Sequence, residues 1–291
     1  MDTRRYDSLV SVRDHKSAMA RLGRAVKPHL SGAAERLMAD RYERRSGPAA
    51  RRETLVEAGS AVTFLLLAIA LAQIVDAPAP HAALSLALIV AIAIASRVEF
   101  DAGAGYVTPV QLVFVPILFV ADPAWAPLLV AAGLVLSRLV EASRGGSVPR
   151  HALVAIGNAW FAMGPALVLV IAGVDAPVWE RWPVYVAALA SQFLADGVAG
   201  IAREWLVLGV PPRLQLRMMG LVFLVDILLT PVGLLAALTA QKEPFAFLLV
   251  LPLVALLAIF ARERGTRIDQ AIELSRAYRG TALLLGEVIA H

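Results

Sequence analysis

The chain has 291 residues, 59% of them hydrophobic and 17% charged, with a mean hydropathy of +0.70. A soluble globular chain carries about 45–50% apolar residues, so this balance excludes an ordinary water-soluble domain and points to an integral membrane protein. The 27 Lys and Arg against 23 Asp and Glu are then an orientation signal before they are a nucleic-acid footprint, and the absence of cysteine excludes disulfides, thiolate nucleophiles and Cys-ligated metals.

Residues 1–54 form a basic segment with 13 Lys or Arg and small apolar groups at Leu9–Val10, Met19, Leu22, Val26 and Leu37–Met38. That pattern predicts an amphipathic helix on anionic lipid, with disorder as the competing reading. Aromatic interleaving is limited to Tyr6 and Tyr42, which argues against nucleic acid as a partner. The first long apolar run comes only at residue 62, too late for a secretory signal peptide.

From residue 55 to 262 the sequence predicts an all-α polytopic bundle. Apolar windows lie near 55–75, 82–97, 106–121, 124–140, 151–173, 182–203, 216–240 and 244–262, giving eight transmembrane helices. Runs such as Phe64–Leu71 are apolar on every side, without the in-out alternation of barrel strands. With the N-terminus cytoplasmic, one side receives 25 of the Lys and Arg and the other only Arg181 and Lys242. That asymmetry places both termini on the cytoplasmic side of the membrane. Were 106–121 re-entrant, every later loop would change sides.

Pro109, Pro116, Pro165, Pro231 and Pro252 fall inside these windows, where each removes a backbone donor. They read as ordinary membrane-helix prolines or as hinges. Gly103–Pro109 is the most irregular stretch, either a backbone unwound beside a ligand or a short loop.

Deep polar residues are few: Gln111, Asn158, Gln192, Asp196 and Asp226. An ionisable group within a span is disfavoured by roughly 2.5–3.5 kcal/mol on insertion scales, so each needs a reason to be there. At about 1.5 Å per residue, Asp196 lies ~10 Å from Arg203 along its helix and Asp226 lies ~12 Å from Met218, which puts both carboxylates in one layer of the cytoplasmic-side half. Asn158 falls at a similar level, and Gln192 shares the face of Asp196 one turn away. If neighbouring helices bring the two aspartates together, their repulsion predicts a shared proton or a bound cation. The layer is thus a candidate site for a small ligand, cation or proton. The competing reading satisfies each group locally with a backbone carbonyl, a water or an arginine and leaves only helix packing.

The five histidines, His15, His29, His81, His151 and His291, show no paired spacing, so no metal site is expected, and no cofactor either. No Ser-His or HExxH arrangement is present in these residues, and so no catalytic motif is assigned. Trp125, Trp179, Trp182 and Trp205 sit near helix ends, as interfacial aromatics do.

Residues 263–291 predict a cytoplasmic signalling or linker helix. Ile268, Ala271, Ser275, Tyr278, Ala282, Leu285 and Ile289 follow spacings of three and four, the seam of a homodimer through 268–289, or of a single helix packing on the bundle. The stretch Ala277–Ile289 resembles the helix that leads into the HD or HD-GYP phosphohydrolase domain of bacterial membrane signalling proteins. Gly105–Pro116 is similar to the multi-span sensor region upstream of such domains. The resemblance, over residues 55–291, implies a sensory input module relaying a membrane or small-ligand signal to a cytoplasmic output domain, a metal-dependent phosphodiesterase in that family. The family's His-Asp metal pair and GYP loop have no counterpart in these residues, so neither metal ligands nor catalysis carries over. A small-solute or ion-coupled transporter is the alternative, favoured by kinked spans and buried carboxylates.

Overall fold

The computed structural model describes residues 48–101, 106–142, 148–208 and 212–263. Residues 1–47 of the basic N-terminal segment, Gly103–Gly105 and the 268–289 seam lie outside them. The described residues fall almost wholly in one compact unit, Arg52–Thr266.

Each of the eight apolar windows contains helix. In chain order these are α1 (Pro48–Val75), α2 (Ala82–Ala95), α3 (Gln111–Val120), α4 (Ala126–Ala142), α5 (Val148–Gly157) continuing through a 3-10 turn into α6 (Met163–Ala172), α7 (Trp182–Leu208), α8 (Pro212–Ala240), and a 3-10 turn Pro244–Val250 that runs into helical residues 251–263, here α9. Five segments are long and apolar enough to cross a membrane: Arg51–Val75, His151–Ala172, Trp179–Val207, Val222–Ala240 and Pro244–Glu263. The other three helices are shorter, with 14 residues in α2, 10 in α3 and 17 in α4.

Chain chemistry accounts for these shapes. On α1, Phe64, Ala68 and Leu71 follow helical spacing and are buried, whereas Leu66, Ile69 and Ile74 point outward as an apolar face. The window at 106–121 is helical only from Gln111, because a two-residue antiparallel ladder pairs Phe100 with Val107 and Asp101 with Tyr106. Pro109 falls in the turn after that ladder, where its missing N–H leaves no helical bond unmade. Every residue of α3 from Gln111 to Phe119 is buried, with α8 its most extensive neighbour. A short helix preceded by irregular backbone is permitted at membrane depth only where protein surrounds it, and α3 meets that condition.

The window at 151–173 is a helix interrupted by the 3-10 turn Asn158–Ala162. Tighter winding there changes which side chains face the bundle on either side of the turn.

Three glycines set the closest helix crossings. A Cβ on Gly133 would meet Ile92 of α2, one on Gly233 would meet Val115 and the Gln111 carbonyl of α3, and one on Gly164 would collide with the Ser191 backbone of α7. Small residues at such contacts let helix backbones approach where lipid supplies no hydrophobic drive between helices.

One end of the bundle is tied together by its loops. The Trp125 indole N–H donates to the Ala77 carbonyl at 3.1 Å, and the Gln241 amide donates to the Phe119 carbonyl at 3.3 Å. Asp122, at φ 67°, accepts the Ala124 N–H on its own side chain and so turns the chain between α3 and α4. Arg97, Arg138 and Arg203 lie at the other ends of α2, α4 and α7.

Candidate functional site

At that second end the helices do not close on one another. They enclose a cavity of about 320 Å³, a volume within the range of small-molecule pockets. Gln111, Asn158, Gln192, Asp196 and Asp226 all line it, drawn from α3, the 3-10 turn, α7 and α8. Glu99, an exposed residue on the stretch between α2 and the ladder, also contributes to the lining, so the cavity reaches the protein surface.

The floor is an amide pair. The Gln111 side-chain nitrogen donates to the Gln192 Oε1 at 3.1 Å, and the Gln192 nitrogen donates back to the Gln111 Oε1 at 2.9 Å. Gln111 donates a second hydrogen bond to the Thr230 hydroxyl at 3.0 Å, and that hydroxyl donates in turn to the Asp226 backbone carbonyl at 2.7 Å. Both glutamines are 3% exposed, so this network is the means by which two buried amides are satisfied. It links α3, α7 and α8 in one layer. Beyond it lies a second cavity of about 40 Å³, lined mainly by apolar residues such as Val115, Leu118, Leu169 and Leu234, with the same two glutamines as one wall.

Asn158 has a different role. Its Oδ1 accepts a hydrogen bond from the Arg203 Nη1 at 2.8 Å, and the same nitrogen lies 3.4 Å from the Glu57 Oε2. The cluster joins α1, the 3-10 turn and α7, with the Arg203 and Glu57 side chains each 18% exposed. Gly157 is what lets it close, because a Cβ there would sit 3.0 Å from both charged groups. For Asn158 local satisfaction is the observed arrangement. The Trp160 indole N–H donates to the Ser60 hydroxyl nearby at 3.0 Å, adding a second tie to α1.

The two aspartates stand apart. Both line the same cavity, Asp196 from α7 and Asp226 from α8. Yet among the residues whose side chains are described, none gives either carboxylate a hydrogen bond or an ion pair. Every other deep polar side chain singled out from the sequence has a protein partner, whereas these two face the cavity.

Sequence reasoning missed several lining groups. Ser96 and Glu99 at the end of α2, Thr108 before α3, and Ser137 and Arg138 in α4 all contribute. Near helix ends such residues read as ordinary interfacial polarity. The signal that could have found them is register: Leu134, Ser137, Arg138 and Glu141 follow spacings of three and four toward the polar end of α4. Arg138 is held by Glu141 at 2.7 Å one turn on. Two aromatic rings, Phe193 and Phe223, stack across the α7–α8 contact with centroids 4.3 Å apart and also line the cavity.

Chemically, the site can bind. It offers two uncompensated carboxylates, an amide floor and aromatic surface in a space the size of a small metabolite. Among the described residues no group of three or more His, Asp or Glu is disposed to hold a metal ion. Comparison with known proteins gave no match to a family model, to a curated protein or to a solved structure.

Proposed function

We propose that the bundle is a membrane-embedded sensory module that takes a small ligand from the arginine-rich side and relays its presence through α9 to a cytoplasmic output domain or protein. In this reading the polypeptide crosses the plasma membrane of a bacterium eight times. α2, α3 and α4 complete the count by virtue of burial against longer neighbours, and both termini lie on the cytoplasmic side with the arginines. The observation that carries the reading is the one-ended cavity: it reaches the surface through Glu99, is floored by Gln111 and Gln192, and holds two carboxylates with no described partner. An unpaired ionisable group inside a membrane protein is a functional feature by default, because insertion disfavours it.

The resemblance of Gly105–Pro116 and Ala277–Ile289 to HD-GYP signalling proteins supplies the output class, a phosphodiesterase acting downstream of the C-terminal helix. Ligand binding would favour one packing of α7, α8 and α9 and so bias the segment that follows. A test is a small-molecule screen by thermal stability of the purified chain in nanodiscs, with Asp196→Asn in parallel. The reading predicts compounds that stabilise the wild-type protein and not the variant, with cross-linking along 268–289 changed by the same compounds.

A small-solute transporter is the second reading, favoured by the 40 Å³ cavity on the far side of the amide pair. Parting of Gln111 from Gln192 would join the two cavities into a path. Uptake of a stabilising compound into proteoliposomes decides for transport, and binding without uptake decides for sensing.

A further inference from the structure

The chemistry of the lining narrows the ligand class. Resting on the ligand-binding reading above, we propose that the cavity takes a small organic cation, a protonated amine carried on a planar apolar group. Asp196 and Asp226 receive the ammonium, and Phe193 and Phe223 supply the surface against which the planar part packs.

Charge is the first ground. Among the described residues, the ionisable side chains that line the cavity are Glu99, Arg138, Asp196 and Asp226. Arg138 is already engaged by Glu141 at 2.7 Å, and Arg203, the nearest other described cation along α7, is held by Asn158 and Glu57. The N-terminal end of α3 contributes about half a positive charge at the floor, which does not offset two carboxylates. An anionic ligand would meet net repulsion, whereas a cation gives both carboxylates a partner inside the bundle.

Size and shape are the second ground. A volume of about 320 Å³ is far more than a lone metal ion or proton needs. Divided by the roughly 30 Å³ that one water takes in the liquid, it holds on the order of ten water-sized groups, which is a compact ring with a short side chain. The Phe193–Phe223 pair presents aromatic surface on the same two helices, α7 and α8, that carry the aspartates, three residues along each chain. Cation and ring can therefore be held together by one helix pair.

The absence of cysteine provides the test. Ser137 lines the cavity and is 7% exposed, so in Ser137→Cys, the full chain otherwise unchanged, a thiol reagent reaches the sulfur through the cavity. Val222→Cys, from the facing helix, is a second reporter should the first variant fold poorly. Labelling is timed in nanodiscs with tryptamine, tryptophol and indole-3-acetate, which share a ring and differ in charge. Tryptamine at saturation should slow labelling at least tenfold, the other two should leave it within twofold, and adding Asp226→Asn should remove the protection. Equal or greater protection by tryptophol or indole-3-acetate overturns the cation assignment and leaves the ligand-binding reading standing. Protection by none of the three overturns the assignment as well. If a mixed metabolite extract then also fails to protect a thiol that labels freely, the ligand-binding reading falls with it.

Discussion

On the two sides of the Gln111–Gln192 pair the same helices do opposite things. Toward the arginine-rich end α7 and α8 border about 320 Å³ lined with carboxylates, hydroxyls and amides, whereas beyond the pair the space shrinks to about 40 Å³ lined largely by Leu, Val, Phe and Pro. Gly164 and Gly233 mark the change, since each sits where another helix's backbone or β-carbon leaves no room for a side chain. The contrast shows a division of labour along one bundle: the packed half supplies the rigidity that keeps the open half open. Open space in a membrane bundle forfeits dispersion contacts, so it persists only where neighbouring packing enforces it.

The strongest way to break this contrast is to spoil the packed half. Gly164→Leu drives a side chain into the Ser191 backbone, and a loss of about 3 kcal/mol or more is expected, read as a lowered unfolding midpoint in detergent. Gly200→Ala on α7, where nothing lies within 4 Å of the added carbon, should shift stability by less than about 1 kcal/mol.

The boundary is sharpened by a double-mutant cycle on the amides. Gln111→Leu alone strands the Gln192 amide and should destabilise by about 1–3 kcal/mol, while Gln111→Leu with Gln192→Leu should recover most of that loss. Additive losses would mean that the two amides are satisfied independently. Arg203→Met probes the tie between α1 and α7. It leaves the Glu57 carboxylate and the Asn158 oxygen without their shared donor, and about 1–2 kcal/mol is expected, reduced from the fully buried case because both charged groups retain some exposure.

The smallest effect on stability falls in the open half and has the opposite sign. Asp226→Asn removes a charge with no described partner, so the unfolding midpoint should stay level or rise by up to about 1 kcal/mol in stability while ligand protection is lost. A clear destabilisation would show that the carboxylate holds the fold together.

The sequence made part of this division visible. Each apolar window contains helix among the described residues, because long runs of uniformly apolar composition favour it, and counting residues along α7 and α8 from their arginine-bearing ends placed Asp196 and Asp226 at one level. What linear spacing does not carry is partner choice. Asn158 and Asp196 look equivalent as deep polar residues, yet Arg203 reaches one by a hydrogen bond and not the other. Nor did the window at 106–121 reveal that α3 begins only at Gln111, because Tyr106 and Val107 are as apolar in a strand as in a helix. Glu99 and Ser137 were hidden by their position, since polar residues near helix ends are ordinary until a cavity brings them together.

Sensing from the arginine-rich side requires a cavity that opens to that face and is closed to the other. Single cysteines at Ser137, at Ser147 in the sequence between α4 and α5, and at Glu180 between α6 and α7, each treated with a membrane-impermeant maleimide in right-side-out and inside-out vesicles, test this most directly. Ser137→Cys should react in the same vesicles as Ser147→Cys and be silent in those where Glu180→Cys reacts. Reaction from the Glu180 face, or no reaction where Ser147→Cys labels fully, would contradict it.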